Sequence, residues 1–267
     1  MGNTGVELST IGLGGHTFLP RYGGLDRADR EELKKIISTS VDKGINLFDV
    51  TFDEERKVFG SLAKKLGIRQ HIFLTCWMPK ERTRTGDDVK TEVYRALEML
   101  DVDYVDMFYL DCIYSPGQVE AMETLKKEGV MRFIGMLGAD TALSNPMTDF
   151  DAVLVNHNYY IREKEADIIR IEQQYPHLGI ISLEPIGRGR FALDKAPPGI
   201  SMAAACLKYA LAFPPADSTL IAVRRMSELM ENIDIWKGEK PLTEEERKAL
   251  KAGRGYAIPG PEVILES

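Results

Sequence analysis

Residues 30–50 read REELKKIISTSVDKGINLFDV and contain the clearest indication of the fold of this chain. Its first part spaces four apolar residues as one buried face of a helix: Leu33, Ile36, Ile37 and Val41. Gly44 is suited to end that helix, and residues 45–50 are short and apolar, as a buried strand is. A helix that runs directly into a buried strand is the repeating unit of parallel α/β sheets.

The same alternation recurs along the whole chain. We predict strands at 9–15, 45–50, 71–75, 104–110, 131–136, 150–155, 179–183 and 219–223. We predict helices at 30–43, 57–66, 87–100, 116–128, 163–174, 201–212, 227–234 and 243–250. Eight right-handed units of this kind favour a closed (β/α)8 TIM barrel. A doubly wound dinucleotide fold would need GxGxxG after the first strand, but Thr17 stands where the third glycine belongs.

Length and composition fit one such barrel. The chain has 267 residues, close to the ~250 of a typical (β/α)8 barrel, so we expect residues 1–267 to form a single domain. Its 34 basic and 41 acidic residues give a net charge of −7, which argues against a nucleic-acid partner. Three cysteines, no signal-like start and no apolar run of ~20 residues predict a reduced, soluble, cytoplasmic protein without a membrane partner. The sequence leaves the oligomeric state open.

Several segments resemble one known family. Gly44-Ile-Asn-Leu-Phe-Asp49 resembles the second-strand signature of the aldo-keto reductases, and Ile181-Ser-Leu-Glu-Pro-Ile-Gly-Arg-Gly189 resembles the turn that grips their cofactor diphosphate. Similar matches, in the same order and spacing, lie at residues 100–106, 133–136, 150–158 and 220–232. The chain is therefore identified as a divergent member of this family, and the resemblance again implies a (β/α)8 barrel.

The resemblance implies that most of the family's catalytic residues are absent from this chain. The family reduces carbonyls with an Asp, a Tyr, a Lys and a His at the carboxyl ends of the barrel strands. Carried over to this chain, the aspartate is Asp49, whereas Phe52-Asp-Glu-Glu55 stands where the tyrosine would be. The lysine position is matched to Cys76 and the histidine position to Asp111. We therefore expect weak or absent activity on the simple aldehydes that ordinary members reduce.

The cofactor segments match the family better than the catalytic ones. The resemblance implies NADP(H), with Arg224 and Arg225 placed to hold the 2′-phosphate, since guanidinium groups suit phosphate. The implied cofactor-binding residues are Asn158, Pro185, Ile186, Gly187, Arg188, Gly189, Arg224, Arg225, Glu231 and Asn232.

Three residues are the candidates for catalysis. Asp49 and Asp111 end the second and fourth predicted strands, on the barrel face where catalytic groups gather. Two neighbouring carboxyls can act as an acid and base pair. His16 follows the first strand, and an imidazole can exchange a proton near neutral pH. A zinc or manganese site made of His16, Asp49, Asp111, His157 and Glu184 is a further alternative, which no ligand spacing supports.

Other polar residues receive structural interpretations. Asp53, Glu54 and Glu55 are expected to form the solvated first turn of a helix, and Cys76 to be buried and inert. Tyr109 is expected to point away from the site, and the roles of His157 remain open.

Three functions remain possible from the sequence. The first is a divergent NADP-dependent oxidoreductase acting on a small carbonyl or alcohol through Asp49, Asp111 and His16. The second is a lyase or isomerase that uses the acidic cluster of the same barrel, and the third is a cofactor-binding protein without catalysis. Fold alone does not decide between them.

Overall fold

A computed structural model describes residues 1–19, 21–22, 25–26, 29–187 and 197–253. Eight parallel strands close into a barrel, which confirms the predicted fold class. The strands are β1 Ile11–Leu13, β2 Leu47–Val50, β3 Phe73–Met78, β4 Val105–Leu110, β5 Met131–Leu137, β6 Ala152–Asn156, β7 Gly179–Leu183 and β8 Ser218–Ile221. They neighbour one another in chain order, and β1 pairs with both β2 and β8 to close the ring.

Helices surround the barrel. They are α1 Arg30–Asp42, α2 Asp53–Leu66, α3 Gly86–Leu100, α4 Pro116–Glu128, α5 Ala139–Ser144, α6 Glu165–Gln174, α7 Met202–Leu211, α8 Met226–Lys237 and α9 Glu244–Gly253. Helix α5 was missing from the sequence prediction, because six residues show too little periodicity. The first strand is shorter than predicted, since its glycines lead into a 3-10 turn, Gly15–Phe18.

The strands separate two apolar layers. Side chains that alternate inward fill the barrel itself and form one buried cluster: Leu47, Phe73, Met107, Tyr109, Ala152, Leu154, Ile181 and Leu220. The intervening residues, such as Phe48, Leu74 and Phe108, face outward and pack in a second cluster with the helices. Alternation along each strand therefore decides whether a side chain belongs to the interior or to the outer layer.

The carboxyl ends of the strands and the loops that follow them form the end of the barrel where a site is expected. In parallel barrels the site forms where the carboxyl ends of the strands meet their following loops. That end of this barrel carries the turn after β1, the start of α2 and the residues that follow β4, β7 and β8. Among the described residues, no helix has the length and apolar character needed to cross a membrane.

Candidate active site

The turn after β1 presents His16 at the carboxyl end of the barrel. The Gly14 N–H donates to the carbonyl of Ile221 over 2.7 Å, and the Val223 N–H donates to Thr17 Oγ1 over 3.2 Å. These bonds fasten the turn to the end of β8. The His16 side chain is 30% exposed, so it stays accessible at the mouth of the barrel.

A buried carboxylate holds the His16 ring. His16 Nδ1 lies 2.8 Å from Glu55 Oε1, and the imidazole stacks on the ring of Phe52 with centroids 5.7 Å apart. A Cβ atom at Gly15 would lie 2.0 Å from Glu55 Oε2, so only glycine lets the turn approach this carboxylate. A carboxylate accepts hydrogen bonds, so Nδ1 donates here and the ring is oriented as in a general acid–base pair.

Glu55 is not the solvated residue that the sequence suggested. Its side chain is fully buried, and Oε2 accepts the backbone N–H groups of Thr51 at 2.8 Å and Phe52 at 3.1 Å. These bonds satisfy free N–H groups at the start of α2. Asp53, by contrast, is half-buried and pairs with Arg82 at 2.9 Å, while Glu54 is exposed. Only Glu55 of the acidic turn therefore reaches the site.

Asp49 lies inside the barrel on β2. It is 7% exposed and accepts a hydrogen bond from Thr75 Oγ1 at 2.6 Å. Burial raises the pKa of Asp49 from 3.8 to about 7; the Thr75 bond and the Arg56 charge lower it, and the Glu55 charge raises it. A carboxyl with such a pKa can carry a proton at neutral pH.

Tyr109 also faces the barrel interior, which corrects the prediction that it points away. Its side chain belongs to the interior cluster and is 0% exposed. Burial holds the pKa of Tyr109 well above its usual range; the charge of Asp49 raises it further, and a hydrogen bond with the Thr75 side chain lowers it. Residues 109 and 111 lie on the same face of a strand, because side chains alternate between its two faces. If Asp111 faces the site, this spacing predicts that Tyr109 faces the barrel interior as well.

Cys76 lies in the outer layer rather than at the barrel mouth. It is fully buried in the helix-facing cluster, and burial raises the pKa of its thiol to about 12, so the prediction of an inert cysteine fits. The residue that packs against the interior cluster at this end of β3 is Trp77. The position matched to the family's lysine therefore faces the helices, and its neighbour Trp77 places an indole against the barrel interior.

Asp111 is separate from the Asp49 centre. It is half-buried, and burial raises its pKa, partly offset by the charge of Lys80. Lys80 and Glu81 are the charged side chains that act on Asp111, whereas Glu55 and Arg56 act on Asp49. Neither aspartate is among the charged groups that act on the other, so the described residues give no support to the predicted acid and base pair.

Asn158 and His157 are buried structural residues. Asn158 Nδ2 donates to the Glu184 carbonyl over 3.1 Å, and its Oδ1 accepts the N–H groups of Tyr160 and Ile161. His157 is 1% exposed, with Nε2 2.9 Å from Glu165 Oε1, and burial lowers its pKa. Asn158 therefore supports the turn after β7, and its predicted role beside the cofactor stays a prediction.

The turn after β7 has an unusual backbone. Glu184 has a φ of 62° and Gly187 a φ of 56°, and the Gly187 N–H donates to the Glu184 carbonyl over 2.8 Å. A positive φ at a non-glycine residue is strained and is found at ligand-binding sites. Pro185 is buried and Ile186 half-buried within this turn, whereas the predicted cofactor residues Arg188 and Gly189 lie outside the described residues.

The start of α8 combines guanidinium groups with carboxylates. Arg224 Nη2 donates to Glu228 Oε1 over 2.7 Å, so this guanidinium is already paired. The side chain of Arg225, the N-cap of α8, is 59% exposed and lies 3.9 Å from Glu228 Oε1. An exposed arginine at a helix N-terminus suits a phosphate group, so Arg225 fits the predicted role better than Arg224 does. Glu231 is exposed and Asn232 half-buried further along α8.

The metal alternative receives no support. Within the described ranges, no group of three or more His, Cys, Asp or Glu side chains is placed to hold a metal ion.

Comparison with known proteins identifies the class. The aldo/keto reductase family model matches residues 10–198, so the chain belongs to this family. An uncharacterized oxidoreductase YqkF from Bacillus subtilis is 21% identical over 94% of each chain. An L-galactose dehydrogenase from Arabidopsis thaliana is 24% identical over 87% of this chain and 86% of its own.

Solved structures share the fold. The aldo-keto reductase AKR11C1 from Bacillus halodurans, in its holo form, matches with a TM-score of 0.76 and 19% identity over 97% of this chain and 96% of its own. An aldo-keto reductase from Klebsiella pneumoniae in complex with NADPH matches with a TM-score of 0.74 and 20% identity over 94% and 92% of the two chains. At these identities the structures establish the barrel and not the chemistry.

Proposed function

We propose that this protein is an NADP(H)-dependent oxidoreductase that interconverts a small carbonyl compound and its alcohol, with His16 as the proton donor. The observation that carries the proposal is the His16–Glu55 pair at the barrel mouth. His16 lies in the turn after β1, and β1 pairs with β2, the strand that holds Asp49. Reduction of a carbonyl needs a hydride at carbon and a proton at oxygen, and NADPH supplies the hydride when it is bound.

The protein's own residues supply the proton. Glu55 holds His16 Nδ1, so proton transfer with the substrate runs through Nε2. In the reduction direction His16 gives a proton to the carbonyl oxygen, and in the oxidation direction the neutral imidazole takes the proton of the alcohol, while Glu55 keeps the ring in place through Nδ1. Asp49, with its pKa near 7, serves as a second proton carrier inside the barrel. Asp111 shapes the charge at the mouth from the end of β4.

Family membership and the cofactor segments support the choice of NADP(H). An aldo-keto reductase from Klebsiella pneumoniae with the same fold is in complex with NADPH. In this chain Arg225 is the residue most suited to the 2′-phosphate, because its exposed guanidinium stands at the N-terminus of α8. The turn from Glu184 to Gly187 would hold the diphosphate side, with Asn158 keeping its backbone in place.

A fluorescence titration with NADPH and NADH tests the cofactor assignment. We expect the wild type to prefer NADPH, and Arg225→Ala to weaken NADPH binding while leaving NADH binding nearly unchanged. Arg170→Ala, which removes an exposed arginine of α6, is the matched control. Absence of binding to either nucleotide would instead favour a lyase or isomerase, and the proposal would be dropped.

Turnover of a panel of small carbonyls and alcohols tests the proton donor. With a substrate in hand, His16→Gln is expected to lower kcat by ~10²–10⁴, as the loss of a general acid does. Glu55→Gln should lower kcat less, because the histidine remains but loses its orienting charge. Binding of NADPH without turnover of any compound would favour a cofactor-binding protein without catalysis.

A further inference from the structure

A cleft of about 670 Å³ lies on the outer layer of the barrel, between α7, the end of α8 and α9. This volume is within the range of about 300–1,000 Å³ that small-molecule sites occupy. None of the residues assigned above to catalysis or to the cofactor lines it. Apolar side chains form much of its wall: Leu211, Phe213, Ile235, Trp236 and Leu242. The cleft is therefore separate from the candidate active site.

Glu165, the first residue of α6, brings a carboxylate to this cleft. Two neighbours hold its Oε1: His157 Nε2 lies 2.9 Å away, and the Tyr209 hydroxyl donates to it over 2.5 Å. Within the described ranges, Glu165 Oε2 accepts no hydrogen bond from a side chain, and the side chain is 27% exposed. One oxygen is thus fixed by the fold, and the other is available to a ligand.

The groups that hold Glu165 are rigidly packed and carry no compensating charge. His157 is 1% exposed and stacks on Phe213 with ring centroids 4.2 Å apart, and Tyr209 stacks on the other ring contact of His157 at 5.7 Å. Burial lowers the pKa of His157, against the opposing effect of Glu165, so the imidazole is mostly neutral at pH 7. A neutral imidazole and a phenol orient the carboxylate of Glu165 but leave its negative charge without a cation.

The cations that line the cleft are already paired. Each has a carboxylate partner that does not line the cleft: Lys208 with Glu246, Lys240 with Asp234, and Arg247 with Glu244. By contrast, no Lys or Arg of the described residues forms an ion pair with Glu165 or with Glu239, the second carboxylate of the lining. The charge that this cleft can still accept is therefore positive.

We propose that the cleft binds a small organic ammonium ion, whose charge pairs with Glu165 and whose apolar part packs against Phe213 and Trp236. Charge-assisted hydrogen bonds to a carboxylate are strong, and aromatic rings beside such a carboxylate attract a cation further. An anionic ligand would instead meet two carboxylates beside cations that are already paired. The proposal does not depend on the reaction at the barrel mouth.

NMR of the two indole N–H groups tests this proposal without nucleotide or substrate. Trp77 lies at the barrel end of β3 and Trp236 lines the cleft, and Trp236→Phe assigns the two signals. Phenethylammonium is expected to shift the Trp236 signal saturably and to leave the Trp77 signal in place. Neutral phenylpropanol and anionic phenylpropanoate should bind at least about tenfold more weakly, because neither forms the charged bond to Glu165.

A charge-removing variant and a matched control complete the test. Glu165→Gln should weaken phenethylammonium binding by about tenfold and barely change phenylpropanol binding. Glu172→Gln, at an exposed position of the same helix, should bind as the wild type does. If Glu165→Gln does not fold, the ranking of the three probes on the wild type still decides. No shift at Trp236, equal or tighter binding of the neutral or anionic probe, or unchanged affinity in a folded Glu165→Gln overturns the proposal.

Discussion

Replacing Asp49 by asparagine should stabilise the protein at alkaline pH. Asparagine keeps the shape of the side chain and the acceptor for Thr75, but it removes a carboxyl whose folded-state pKa is about 7 instead of 3.8. A group whose pKa is raised by folding contributes stability below its unfolded pKa and loses that contribution as the pH rises through the folded pKa. The loss therefore falls between about pH 4 and pH 7.

The magnitude follows from the pKa difference. A difference of about three pKa units corresponds to about 4 kcal/mol at ~1.4 kcal/mol per unit. Between pH 5 and pH 8 the folded Asp49 releases its proton while the unfolded one is already ionised. Over this pH range the ionisation of Asp49 lowers the free energy of unfolding by about 2–3 kcal/mol. The free energy of unfolding of the wild type should fall by that amount relative to Asp49→Asn across the same window.

Urea denaturation of both proteins at pH 5, 6, 7 and 8 measures this difference. Comparing the two proteins at each pH cancels every other titrating group. Thr75→Ser, which keeps a hydroxyl donor to Asp49, is a control that should follow the wild-type curve. Parallel curves for wild type and Asp49→Asn would show that Asp49 titrates normally and would remove the basis for its role as a proton carrier.

Three further perturbations test the structure around the site. Gly135→Ala should destabilise the protein by about 1–3 kcal/mol, since its Cβ would lie 2.3 Å from the Tyr109 ring, and thermal melting should show Tyr109→Leu relieving part of that loss. Glu92→Gln should cost about 3–5 kcal/mol in urea denaturation, because the fully buried Arg56 guanidinium loses the carboxylate that bonds it at 2.5 Å and keeps only the more distant Asp53, at 3.8 Å, as an anionic partner among the described residues. Burial lowers the pKa of His157, so the wild type should lose stability as the pH falls below 6.5, and His157→Gln should flatten this loss in melts between pH 7 and pH 5.

The barrel was predictable because its signals are local and repeated. Each strand is a short apolar run, each helix has an apolar face, and glycines such as Gly67 and Gly129 end helices in the left-handed conformation. Eight repetitions of one pattern leave little choice of topology. The exceptions, such as α5 with six residues, are elements too short to show a period.

The site was less predictable because the burial and the contacts of its residues depend on partners that are far away in the chain. The acidic turn at 53–55 looks the same in sequence whether it is solvated or buried. Glu55 is buried because Gly15, 40 residues earlier, lets the first turn approach it. Tyr109 differs, since strand alternation from Asp111 already placed it inside the barrel. The wrong prediction for Tyr109 came from applying strand alternation incorrectly, because the alternation itself gives the right orientation.

Glu55 and Asp49 have environments that assign them different tasks. Glu55 accepts two backbone N–H groups and faces His16, so its negative charge is fully engaged in holding the turn and the imidazole. Asp49 accepts a hydroxyl bond in the apolar interior, and its pKa rises to about 7. Unequal surroundings of this kind separate a fixed anion from a group that can exchange a proton. We therefore propose that this end of the barrel keeps acid–base chemistry even though only one of the family's four catalytic positions is matched in the sequence. In our proposal that chemistry moves to the turn after β1 and to the interior of β2, where His16 and Asp49 carry the protons that a tyrosine and a lysine would otherwise control.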